Sequence, residues 1–364
     1  MRKFAEKGLS GMSGSLRWPT IASMLIAIAG AWSPTPAGAS QALWVPNFAT
    51  STVVEFDAKH RAHSGTPRPA LTNTSASLGN PDGLTFDKSK NLWVTNCQDP
   101  VTGYGSITKF THRQLNRLHA DPAPDPVVTL SDDGIGDIFL CPYGADFDKS
   151  GNLWTVNRYL RDLIEFTPAQ LAAGGIQPPT TEITSTSFAT PMGSNFDKSG
   201  TIWITDFTQA QVYGFTAASL STAEGSIALL TPDIINSSAS LSGPSAVAFD
   251  AKGNQWVANC SGSTVTEFAP LAATGSPTPM VVLSSTTVTT SSGSAPSLAC
   301  PQGLAFDRKG NLWVSNPISD NAGSIAEFSR AQLATGGSPV PAVFLDSKPD
   351  ASNISEPLLM GFGP

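Results

Sequence analysis

PQGLAFDRKGNLWVSN, residues 301–316, is the clearest of five copies of one phrase; the others are PDGLTFDKSKNLWVTN from Pro81, PYGADFDKSGNLWTVN from Pro142, PMGSNFDKSGTIWITD from Pro191 and PSAVAFDAKGNQWVAN from Pro244. In every copy the Phe precedes its Trp by seven positions, whereas successive Trp residues, counting Trp44, lie 49 to 61 apart. A fixed core with elastic spacers is the mark of a structural repeat with variable loops.

Each copy reads as a small antiparallel sheet. The stretch through Phe is a first strand, the Asp-x-x-Gly-Asn type run is a turn, and Leu-Trp-Val is a second strand. A third strand ends at Phe56, Phe110, Phe166, Phe215, Phe268 and Phe328. Thr111, Thr167, Thr216 or Ser329 then caps a short helical run such as TPAQLAAGG, which Gly-Gly ends. A fourth strand is expected at PVVTL, TTEIT, IALLT, MVVLS and PAVFL. Four strands in about 40–50 residues match a propeller blade.

The first copy starts at LWVPN and lacks its Phe-Asp strand, while Pro357 and Phe362 keep the Pro-to-Phe offset of five seen from Pro301 to Phe306. The expected fold class is therefore all-β, a six-bladed β-propeller of four-stranded antiparallel blades, closed by the C-terminal strand joining the first blade. An open solenoid gives that deferred strand no role.

Residues 1–39 combine a basic start, an apolar run from Ile21 to Trp32 and an Ala37-Gly-Ala39 site, which predicts a secretory signal followed by one propeller domain over 40–364. The apolar run is shorter than the roughly 20 residues that span a bilayer, and no later segment is apolar enough. A secreted or periplasmic monomer is expected. Net charge is −7 with no Lys/Arg cluster, which argues against nucleic acid as a partner. Cys97 and Cys260 each lie four after a Trp, and Cys141 and Cys300 each precede an entry Pro. Both kinds of position emerge on one face of a propeller, which predicts disulfides Cys97–Cys141 and Cys260–Cys300, as suits an oxidising compartment.

The phrase P-x-G-x-x-F-D-x-x-G-N-L-W-V-x-N resembles NHL-type repeats and the wider six-bladed superfamily of gluconolactonase/regucalcin-like and virginiamycin B lyase-like proteins. That resemblance implies a divalent metal over the central channel in the enzymes, held by carboxylate, amide or imidazole groups. It does not by itself transfer an activity. The chain departs from the lyase pattern, because His60, His63, His112 and His119 all fall after third strands, away from the channel mouth.

Two rings of positions are candidates for that mouth. Three after each Trp stand Asn47, Asn96, Asn157, Asp206, Asn259 and Asn316; after the entry Pro stand Asp82, Tyr143, Met192, Ser245, Gln302 and Leu358. The first ring either converges on a ligand or turns each side chain onto its own loop. Before the core Phe, only Asp146 and Asn195 are strongly polar, against Thr85, Ala248, Ala305 and Gly361. The candidate ligand-binding set is thus Asp82, Tyr143, Asp146, Asn157, Asn195, Asp206 and Gln302. The acidic run with Asp132, Asp133 and Asp137 reads as a solvated loop.

No catalytic residue is assigned. The leading expectation is an exported, disulfide-braced propeller without a cofactor that binds a peptide, glycan or protein partner on its top face. The alternative is a lactonase, hydrolase or lyase at the channel mouth, with Asp146, Asn195 and Asp206 holding Ca2+ or Mg2+ through oxygen ligands.

Overall fold

The structure is a computed structural model that describes residues 41–364 apart from 100–101, 116, 118–122, 133, 135–137, 291–292, 319–321 and 348–352. The expected signal at 1–39 lies outside the described residues, as do His119, Asp133 and Asp137. No helix among the described residues is long and apolar enough to cross a membrane.

Six sheets form the blades of a propeller. Blade two shows the plan: inner strand Pro81–Phe86, then Leu92–Asn96, Ser106–Phe110 and outer strand Val128–Ser131, each antiparallel to the last. The hairpin after Phe-Asp is set by the Asp. Asp87 Oδ1 accepts from the Ser89 and Asn91 backbone, while its Oδ2 accepts from Asn91 Nδ2 and from Trp93 Nε1 at 3.1 Å. Asp148 and Asp197 hold Trp154 and Trp203 in the same way. In blades two, three and four one carboxylate thus fixes a turn and satisfies a buried indole, whereas in blades five and six Asp250 and Asp307 fix the same turn while the Trp256 and Trp313 indole N–H groups have no partner among the described residues, so the turn is what all five copies of the spacing share.

Blades are joined by their apolar faces. Each Trp packs on the core Phe of the next blade: Trp44 on Phe86, Trp93 on Phe147, Trp154 on Phe196, Trp203 on Phe249, Trp256 on Phe306 and Trp313 on Phe362, with centroids 5.9–6.5 Å apart. Six buried clusters each span two neighbouring blades, so the core is a ring of seams.

The expected closure requires correction. Among the described residues no sheet closes on itself through hydrogen bonds. Gly361–Gly363 is one edge of the first sheet and pairs with Ala42–Trp44 over three residues, and that sheet ends at Leu71–Asn73 on its other edge. The physical reason is that blades meet face to face, where side chains rather than ladders make contact. The blades are also not uniformly four-stranded. Blades two and three carry a fifth, parallel strand, Gly175–Ile176 and Ile227–Leu229, contributed by the connection of the following blade. IALLT therefore edges blade three, and the outer strand of blade four is Ile234–Asn236. Isolated parallel bridges Gly65 to Leu345, Asn236 to Gly275 and Leu283 to Gly337 repeat the device, covering outer edges that would otherwise invite pairing.

The capped helices form where expected, at Pro168–Ala173, Ala217–Ala223 and Arg330–Thr335, with capping boxes at Thr167 with Gln170 and Ser329 with Gln332. Both expected disulfides, Cys97–Cys141 and Cys260–Cys300, are present.

Candidate functional site

Inner strands line the central channel, entering at Pro and leaving at Phe-Asp. The residue after Pro and the residue before Phe are three apart, about 10 Å along a strand. They therefore mark opposite ends of the channel: Asp82, Tyr143 and Gln302 stand at the entry end, Asp146 and Asn195 at the exit end.

Side chains fill the entry end. Tyr143 of blade three crosses the channel, and its hydroxyl donates to Gln302 Oε1 of blade six at 2.8 Å. Tyr143 packs with Met192 and Leu358, flanked by Phe48, Phe207 and Leu359. Burial holds the Tyr143 hydroxyl far above the usual phenol range, so it remains a donor. The Arg158 guanidinium lies over both the Tyr143 and Tyr159 rings.

Just below, backbones crowd. A Cβ on Gly83 would stand 2.8 Å from Gly144 Cα, and one on Gly193 would stand 2.7 Å from Ser245 O. Five blades carry Gly83, Gly144, Gly193, Ala246 and Gly303 at this waist; the sixth carries Leu359. Its Cδ1 lies 2.8 Å from where a Gly144 Cβ would be, and its Cδ2 3.5 Å from that of Gly193. Leu359 thus reaches from blade one to blades three and four and obstructs the channel. The signal was in the sequence, as the one large residue in a column of small ones.

At the exit end lies an open cavity of about 500 Å3. Asp146, Asn195 and Thr85 face it between the rings of Phe86, Phe196, Phe249, Phe306 and Phe362. Ser194 Oγ donates to Asp146 Oδ2 at 3.2 Å. Burial raises the Asp146 carboxyl from 3.8 to about 7, and the Ser194 hydrogen bond pulls slightly the other way. Among the described residues the side chains of Asn195 and Thr85 make no hydrogen bond, which leaves an amide and a hydroxyl open to a ligand.

Asn157 and Asp206 are not in this cavity. All six residues three after Trp are buried, and the side-chain oxygen of each accepts a backbone N–H from the loop leading into its own blade. Asn157 takes Leu140, Asp206 takes Ala189 and Thr190, Asn96 takes Gly79, Asn259 takes Ser242, Asn316 takes Ala299 and Asn47 takes Ser355. The other Asp206 oxygen accepts from Gln209.

This arrangement does not fit the metal set Asp146, Asn195 and Asp206. Asp206 has both oxygens engaged with backbone and stands off the channel, leaving one carboxylate and one amide, fewer than the six to eight oxygens that Ca2+ gathers. Asp82, Cys97 and Cys141 bring potential ligand atoms within 4.8 Å of one another, but the two sulfurs are bonded to each other and neither is a thiolate. Asp132, read as solvated, is instead buried and accepts from the Phe139 and Gly134 backbone.

No protein-family model and no curated protein matches the sequence. Among solved structures, a protein of unknown function from Bacteroides caccae aligns at 10% identity with a TM-score of 0.59, over 89% of this chain and 99% of its own. A protein from Bacteroides uniformis, named for a proposed 6-phosphogluconolactonase activity, aligns at 14% identity and TM-score 0.54, over 89% and 99% of the two chains. A protein from Lactobacillus plantarum gives 11% and 0.56, over 90% and 100%. Likeness at such identity establishes the fold: the chain is a six-bladed β-propeller related in architecture to these proteins.

Proposed function

We propose that the chain is a hydrolase of small lactones or esters, with its site in the exit-end cavity. The observation that carries this is Asp146, a carboxyl poised near neutrality beside two uncommitted polar groups in a cavity walled by five Phe rings and further polar side chains. A group that titrates near the working pH can both take and return a proton. In the proposed step Asn195 Nδ2 donates to the substrate carbonyl oxygen. The Asp146 carboxylate takes a proton from a water, whose oxygen bonds to the carbonyl carbon. The ring C–O bond then breaks, the alkoxide takes the proton back from Asp146, and a hydroxy acid leaves. Ser194 orients the carboxylate, and the Phe rings cover the carbon faces of the substrate.

The test is hydrolysis of a panel of sugar δ- and γ-lactones followed by pH-stat, comparing the protein with Asp146→Asn and Asn195→Ala. Turnover that falls at least a hundredfold in Asp146→Asn supports the reading; turnover unaffected by both variants, or no turnover of any lactone or ester, removes it.

A second reading, capture of a peptide, glycan or protein partner at the entry face, is favoured by Tyr159, 59% exposed beside Arg158, and by the adjacent Leu140, 39% exposed. An exposed aromatic and an aliphatic side chain next to a guanidinium suit a partner surface. Tyr159→Ala would abolish such capture and leave lactone turnover unchanged.

A further inference from the structure

The two disulfides occupy equivalent places in the ring but have different neighbours. Cys97 is part-exposed and Cys141 is buried. Asp82, which follows the entry Pro of blade two, places Oδ2 3.1 Å from Cys141 Sγ. The residue is 2% exposed, and among the described residues no N–H or O–H donor and no ion pair reaches the carboxyl. The corresponding residue beside Cys260–Cys300 is Ser245, whose hydroxyl donates to the Pro301 carbonyl at 2.6 Å, and Cys300 Sγ accepts from the Gln302 amide at 3.5 Å. One disulfide is in contact with a buried acid and the other is not.

A buried carboxyl without a donor is costly, and a disulfide sulfur has no proton to offer it. Opening the bond changes this, because a Cys141 thiol would face the carboxyl at hydrogen-bond range. We propose that Cys97–Cys141 is a site of thiol–disulfide exchange, in which a dithiol partner attacks Cys97 and Asp82 protonates the departing Cys141 sulfur. Burial independently favours the protonated acid, holding its pKa well above the usual carboxylate range against the weaker pull of Arg158.

The step balances with the dithiol as reductant. Its thiolate bonds to Cys97 Sγ, the Cys97–Cys141 bond breaks, and the electron pair goes to Cys141 Sγ, which takes the Asp82 proton. The second thiol of the dithiol then displaces Cys97, so the partner leaves as a disulfide, oxidised by two electrons. Its two protons end on the protein, one on Cys97 and one restoring Asp82 through solvent. Attack at the more exposed sulfur makes Cys141 the leaving group, and a protonated leaving group departs faster.

Dithiothreitol added to the folded protein, with timed alkylation and peptide mass spectrometry, reads each bond separately. Cys97–Cys141 is expected to open at least tenfold faster than Cys260–Cys300, although Cys141 is buried while Cys260 and Cys300 are both part-exposed. Asp82→Asn is expected to slow opening of Cys97–Cys141 about tenfold and to leave Cys260–Cys300 unchanged. Equal rates, the reverse order, or an Asp82→Asn protein with unaltered rates would overturn the proposal. Should Asp82→Asn fail to fold, the ratio of the two rates in the unmodified protein decides alone.

Discussion

Replacing Asp146 by Asn should make the protein more stable at neutral pH, and the gain should depend on pH. Asp146 is raised from 3.8 to about 7 by burial. The unfolded chain releases this proton near pH 4 and the folded chain near pH 7, so between those values the folded state holds more protons and stability falls as pH rises. Each tenfold change in acidity corresponds to ~1.4 kcal/mol, which sets a ceiling of about 4 kcal/mol for the loss. Asp146 faces cavity water, which recovers part of the hydration of its charge, so about 2 kcal/mol is the expected loss. Asn is nearly isosteric, keeps a hydrogen-bond acceptor for Ser194 and does not titrate. Urea unfolding of both proteins at pH 4, 5, 6, 7 and 8 isolates the effect, because all other carboxyls are common to the pair. The stability difference should move in favour of Asp146→Asn by about 2 kcal/mol from pH 4 to 8, beginning near pH 4 and complete by about pH 7. A difference that is constant across that range would refute burial of a neutral carboxyl at this position.

Trp203→Ala should cost roughly 3–5 kcal/mol, since Trp203 is buried, donates to Asp197 at 2.9 Å and packs on Phe249 of the next blade; chemical unfolding measures it. Leu359→Gly should restore the small waist residue of the other five blades and join the two ends of the channel, at a cost of about 2–4 kcal/mol in lost packing. Unfolding reads the cost, and a crystal structure of Leu359→Gly reads the opening. Replacing Cys260 and Cys300 together by Ser releases a crosslink between residues 40 apart, and calorimetry should find a lower melting temperature and a loss of up to about 4 kcal/mol.

The architecture was legible because one device serves several needs. The Phe-to-Trp spacing reflects a carboxylate that fixes a hairpin and, in blades two to four, also bonds an indole, so Asp87 with Trp93 and Asp197 with Trp203 repeat in sequence what they repeat in space. The disulfides were legible for a related reason, since equivalent positions in a ring share a face. Closure was misread because a sequence offset shows where a strand belongs, not whether ladders or packed faces carry the ring. IALLT was misplaced because an apolar four-residue run suits either of two outer edges, and only the path of the connection decides between them.

The site was half legible. Asp146 and Asn195 stood out as polar residues in an otherwise small or apolar column. What the sequence could not convey is depth along the channel, and so Asp82, Tyr143 and Gln302 were grouped with them although a waist lies between. Nor does it show that Tyr143 is long enough to reach Gln302 across the ring, a distance set by the packing of six blades.

The most direct test is a crystal structure of Asp146→Asn soaked with a lactone that the unmodified protein hydrolyses. The ring should lie in the exit-end cavity with its carbonyl oxygen within hydrogen-bond range of Asn195 Nδ2 and the residue at 146 beside the position of the attacking water. Lactone bound instead at the entry face, near Tyr159 and Arg158, with the exit-end cavity empty, would contradict the assignment of Asp146.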